Sequence, residues 1–131
     1  MKPGGTQTRF VATTEVTDGQ YGLFEWNMPA DTGGAGAHFH RTFSESFFVM
    51  DGAVELFNGD KWTKAEKGDF LYVPPGGLHA FRNESGAPAS LLMLFAPGAD
   101  REGYFEGITQ LGDLNDEERA RFFVEHDSFF V

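Results

Sequence analysis

The chain has 131 residues, no cysteine and a formal net charge of −10. That length suits one self-supporting domain. The missing cysteines remove disulfides and thiolate metal sites and fit a cytoplasmic location, while the acidity leaves no basic face for nucleic acid. Met1 to Thr8 is polar and no apolar run approaches about 18 residues, so neither a signal peptide nor a membrane span is expected. The 15 Phe, 2 Trp and 3 Tyr are spread among 17 Gly and 6 Pro. Aromatic runs broken by such turn residues at short intervals predict an all-β sandwich or barrel.

Residues 1–7 read as a loose arm. Arg9 to Val16 and Tyr21 to Met28 read as strands around an Asp18-Gly19 tight turn. Pro29 to Gly36 is Gly-rich and reads as a loop. His38 to Arg41, Glu45 to Met50 and Ala53 to Phe57 read as short strands, the last two joined through Asp51-Gly52. Asn58-Gly59-Asp60 is a hairpin signal before a strand from Lys61 to Lys64. Phe70 to Val73 is a strand ended by Pro74-Pro75-Gly76-Gly77, and Leu78 to Arg82 follows. Ser90 to Phe95 is almost wholly apolar, which predicts a strand buried on both faces. Beyond Pro97-Gly98 the period changes, for Tyr104, Phe105 and Ile108 have helical spacing. A second helix is expected from Asn115 as N-cap, with Asp116, Glu117 and Glu118 in its first turn and Phe122 and Phe123 on its apolar side. The expectation is about nine strands and then two short helices.

Two of the four histidines form His38-Phe39-His40. Side chains alternate along a strand, so both imidazoles point to one face, about 6.6 Å apart at the backbone. Glu45 follows at the start of the next strand and can add a carboxylate oxygen. His79 comes much later, just after the Pro-Gly turn. Three imidazoles and a carboxylate suit Fe, Mn, Ni, Cu or Zn as one divalent transition metal, and not the all-oxygen preference of Ca or Mg. Four protein ligands on an octahedral ion leave two positions open for substrate or dioxygen.

The segment His38-Phe39-His40, Glu45, Gly52 resembles the first cupin motif at every position. The segment Gly68, Pro74, Gly76, His79, Asn83 resembles the second, again at every position. One departure is Thr32, where the family usually places a Gly six residues before the first His; Gly33 and Gly34 stand next to it. The resemblance implies an all-β fold, a double-stranded β-helix or jelly-roll cupin barrel with short C-terminal helices. It implies a single cupin domain over residues 1–131, with the barrel at about 8–97 and the helical segment at about 99–127. It assigns His38, His40, Glu45 and His79 as metal ligands, one for one. Gly52, Gly68 and Gly76 would occupy bends where a positive φ or a missing side chain helps. Asn83 would tie down a turn through backbone hydrogen bonds.

Similarity to the quercetinase-like single-domain cupins implies a small dioxygenase-like oxidoreductase acting on a planar enolic or phenolic molecule, with Glu45 doubling as catalytic base. Strand parity places Phe24, Trp26, Met28, Phe47, Val49 and Phe81 on faces that would line its pocket. The alternative is a metal-dependent lyase, isomerase or polyketide cyclase, with Tyr21, Tyr72 or Tyr104 as acid or base. A non-enzymatic metabolite-binding cupin is the third reading. His126 reads as a surface residue and not as a fifth ligand. Small cupins resemble homodimers, and the strand from Arg9 to Val16 could cross to a partner sheet.

Overall fold

The structure is a computed structural model that describes residues 7–31, 34 and 36–131. Residues 1–6 of the expected arm lie outside the described residues, as do Thr32 and Gly33. In chain order the strands are β1 (Gln7–Ala12), β2 (Gly22–Met28), β3 (His38–Phe39), β4 (Ser44–Asp51), β5 (Ala53–Phe57), β6 (Trp62–Glu66), β7 (Phe70–Val73), β8 (Ala80–Arg82) and β9 (Ala89–Ala96). Then come α1 (Arg101–Gly107), a 3-10 turn (Ile108–Asp113), α2 (Asp116–Glu125) and a last strand, β10 (Phe129–Phe130). Among the described residues no helix is long and apolar enough to cross a membrane.

The expected closed jelly-roll barrel of an all-β chain is not formed. The strands divide into a five-stranded sheet in the order β1-β2-β9-β4-β7, a three-stranded sheet β6-β5-β8 and a two-stranded sheet β10-β3. Among the described residues none of these open sheets closes on itself, and helices share the chain with them, so the architecture is mixed α/β. The physical reason lies in the connecting strands. β3 and β10 have two residues each and β8 has three, too few to carry a ladder from sheet to sheet. Pro74 and Pro75, without N–H groups, break the ladder just before β8. A single bridge between His38 and His79 is what remains there.

The five-stranded sheet and the three-stranded sheet share one apolar core. Its sheet register explains how. Phe10, Phe24, Met93, Phe47 and Leu71 stand in one row across five strands. Val54, Leu56 and Ala65 of the smaller sheet join the same cluster, and Tyr104, Phe105, Phe122 and Phe123 pack on it from the helices. Alternation along β9 is strict: Ala89, Leu91, Met93 and Phe95 are buried, while the residues between them are half-exposed. One face of β9, not both, is therefore fully buried. The outer face of the sheet also leaves Phe48, Phe70 and Tyr72 exposed.

Strand β1 ends at Ala12, short of Val16, because the chain there turns on itself: Gly19 N–H donates to Thr14 O at 2.8 Å. Asp18 and Gly19 do take left-handed backbone, at φ 56° and 78°. β1 pairs antiparallel with β2 of its own chain, from Gln7 opposite Asn27 onward. Asn115 caps α2 in a reciprocal capping box with Glu118. β10 was not anticipated.

Candidate metal centre and its cavity

The turn residues of the two motifs set the ligand positions. Gly52, Gly68 and Gly76 have φ of +75°, +94° and +82°. At Gly52 a Cβ would also stand 2.6 Å from Pro88 O, so only glycine fits between β4 and β5. Gly76 N–H donates to His40 O at 2.5 Å, which fastens the Pro-Gly turn to the strand carrying the histidine pair. His38 and His79 exchange backbone hydrogen bonds, both 2.9 Å, and so sit directly opposite each other. Glu45 lies on β4 between Phe95 and Val73. Asn83 is fully buried and donates through Nδ2 to Pro29 O at 3.0 Å and Ala87 O at 2.8 Å. It ties the turn after β8 to the end of β2, as its role in the motif implies.

His38, His40, Glu45 and His79 are thereby brought together, all buried, with one nitrogen or oxygen from each lying within 4.8 Å of the others. Every imidazole is held from behind. His38 Nδ1 lies 2.7 Å from Gly36 O, His40 Nδ1 2.7 Å from Asp127 O, and His79 Nδ1 2.9 Å from Gly77 O. A carbonyl oxygen only accepts, so each Nδ1 carries the proton and donates. Each neutral ring then presents the lone pair of Nε2. His40 Nε2 and His79 Nε2 stand 3.0 and 2.9 Å from Glu45 Oε1. Lone pairs and a carboxylate oxygen gathered this closely fit a shared cation, and the nitrogen-oxygen set suits a single divalent transition metal.

The electrostatics agree with such a cluster. Burial, with His79 beside it, pushes the His38 imidazole down to about 4. Burial pushes the Glu45 carboxyl up, but without a metal the rings can take up a proton at Nε2, and the charge on a protonated His79 with hydrogen bonds from His40 and His79 holds the carboxyl well below the usual carboxylate range. Burial pulls His79 down, yet the Glu45 carboxylate raises it above the ordinary histidine value.

A cavity of about 260 Å³ opens onto His38, His40 and Glu45. His79 stands behind them with no exposure. Trp26 and Phe81 line this cavity, with Met93, Phe95 and Phe105. Phe24, Met28, Phe47 and Val49 do not; they are packed in the core. Tyr104 is in the cavity wall, whereas Tyr21 and Tyr72 are exposed elsewhere. His126 is half-buried, caps the end of α2, rests against Phe122 and takes no part in the cluster.

The C-terminal segment supplies contacts that the motifs do not contain. Asp127 accepts from Arg41 N and Thr42 N, both at 2.8 Å, and from Thr42 Oγ1 at 2.6 Å. Phe130 stacks on the His38 ring at 4.8 Å, and Val131 N donates to Ala37 O. Arg101, at the start of α1, is buried in the cavity wall. One signal for it existed in the sequence: a cation in the first turn of a helix opposes the helix dipole, so its placement there calls for another reason.

A cupin-domain family profile matches residues 24–95, more than half of the chain, and the chain belongs to the cupin family. It is similar to an uncharacterized protein of Aquifex aeolicus, 33% identical over 63 residues, which are 48% of this chain and 51% of that one. It is also similar to quercetin 2,3-dioxygenase of Bacillus subtilis, 29% identical over 77 residues, which are 59% of this chain and 23% of that enzyme. The match thus spans about half of the first relative and under a quarter of the second. Among solved structures, KdgF from Halomonas sp. superposes with a TM-score of 0.66 at 20% identity, covering 78% of this chain and 86% of that one. At that identity the likeness concerns the fold.

Proposed function

We propose that this protein is a metal-dependent, dioxygenase-like oxidoreductase acting on a small planar enol or phenol, with His38, His40, Glu45 and His79 as the metal ligands. The observation that carries this reading is the cavity: its mainly aromatic walls lead directly to His38, His40 and Glu45. A flat substrate would stack against Trp26 and Phe81 while its oxygen points at the cluster. A divalent ion held there supplies Lewis acidity toward that oxygen and open positions beside it. Glu45, whose Oε1 lies beside His40 Nε2 and His79 Nε2, accepts the enolic or phenolic proton at its carboxylate. The backbone carbonyls of Gly36, Asp127 and Gly77 hold the three rings in place throughout. The similarity to quercetin 2,3-dioxygenase supports the redox chemistry.

A second reading, a non-redox lyase, isomerase or cyclase, is favoured by Tyr104. Burial raises its hydroxyl above the ordinary value, against the pull of Arg101, so at neutral pH it is a proton donor in the cavity wall. Oxygen uptake separates the two. Protein loaded with Fe(II), Mn(II) or Ni(II) is offered flavonols and enolic diketones. Uptake with any of them supports the oxidoreductase; substrate conversion without uptake supports the second reading.

A further inference from the structure

Arg101 is 2% exposed, yet none of the ion pairs among the described residues includes it. Its hydrogen bonds go to neutral acceptors: Nη1 to His126 O, and Nη2 to Ser128 Oγ at 3.0 Å. Nε is buried with no acceptor among the described residues. A guanidinium has five N–H donors and stays protonated at any ordinary pH. A buried charge without a directly paired counter-charge is costly, so such groups persist where something compensates them. Within the protein the compensation is partial: the guanidinium lies 4.0 Å from the Tyr104 ring, 5.0 Å from Phe43 and 5.5 Å from Phe95, and the Glu45, Asp127 and Asp100 carboxylates act on it without forming an ion pair.

Those rings also place Arg101 beside the cluster. Phe43 stacks on His40 at 4.4 Å, and Phe95 meets His40 at 6.4 Å. Arg101, His38, His40 and Glu45 line the same cavity. The cavity wall therefore carries a fixed cation beside a cluster built for a metal ion, with aromatic surface around both.

We infer that Arg101 is a specificity residue that receives a carboxylate on the substrate, so that the natural ligand is a planar enolic or phenolic acid whose enol or phenol oxygen faces the metal cluster. This rests on the metal-enzyme reading above and narrows it to a class of substrate. The planar guanidinium matches a carboxylate through parallel N–H donors, and the desolvated wall strengthens the pairing. The carboxylate supplies the directly paired counter-charge that Arg101 lacks.

The test is calorimetric binding of salicylate and of its neutral counterpart salicylamide to metal-free and Ni(II)-loaded protein. Wild-type protein is expected to bind salicylate at least about tenfold more tightly, a difference of about 1.4 kcal/mol. Arg101→Met is expected to bring the ratio near one. Arg101 also braces the C-terminal segment, so if that variant does not fold, the wild-type ratio alone decides. Equal affinities in wild type, a ratio that survives Arg101→Met, or no binding of either compound would overturn the inference. A salicylate preference that ignores the metal would uphold Arg101 and count against the metal reading. Metal-dependent binding without that preference would do the reverse.

Discussion

Residues 38–83 and residues 101–131 both reach the histidine cluster, by different means. The first region builds the cluster from backbone. Paired main-chain bonds set His38 against His79, and glycine turns at positive φ deliver the ends of the strands. The second region reaches it with side chains and single carbonyls: Asp127 O behind His40, Phe130 on His38, Arg101 in the cavity wall. On the proposed reading the first holds the metal ion, and the second sets how firmly the rings are aimed and what else the cavity accepts. Variants in each region should separate these roles.

Glu45→Gln gives the largest effect. Turnover should fall by about 10² to 10⁴-fold, the range for a lost general base, while some metal binding remains. Steady-state kinetics on the metal-loaded variant would show it, and unchanged turnover would rule out Glu45 as base. His79→Ala removes a ligand from a surrounding scaffold. Metal affinity should fall by more than about a hundredfold, beyond the usual effect of a merely supporting residue, while circular dichroism stays near wild type. Full metal retention would break the assignment.

A third prediction concerns pH. The His38 imidazole of the metal-free native protein stays neutral down to about 4, while the unfolded chain takes up its proton near 6.5. The unfolded state therefore binds more protons between those values, and stability present above 6.5 is lost as pH falls toward 4. A raised His79 does not offset this, because its contribution is already complete below its unfolded value. The loss should approach about 3 kcal/mol in urea unfolding of metal-free protein and should be absent in His38→Gln.

Asp127→Ala gives the smallest change and tests the second region. Its carboxylate holds Arg41 and Thr42, and its own carbonyl orients His40. Metal affinity should drop by about tenfold with all four ligands intact. Lower stability with unaltered metal affinity would mean that the segment braces the fold without aiming the ligand.

The two regions also differ in how far the sequence discloses them. Period-two alternation puts His38 and His40 on one face, and the glycine and proline spacing marks the turns, so the cluster is legible in the sequence. Parity gives a face but not depth along it. Phe24, Met28, Phe47 and Val49 share the inward face with Glu45, yet they lie in the core while Trp26 and Phe81 reach the cavity. Closure of the sheets is not legible in the same way, because it depends on β3, β8 and β10, whose length is fixed by tertiary contacts and not by local pattern. Arg101, Asp127 and Phe130 act over separations of many residues, with no periodicity to announce them. Asn115 and its acidic first turn were readable because capping is local.

The four-residue cluster is proposed to hold one metal ion. Elemental analysis of protein purified without a chelating tag, then reconstituted with Fe(II), Mn(II) or Ni(II), tests it most directly. About one transition-metal ion per chain is expected, one for the four-residue cluster found among the described residues. No bound metal even after reconstitution would contradict it.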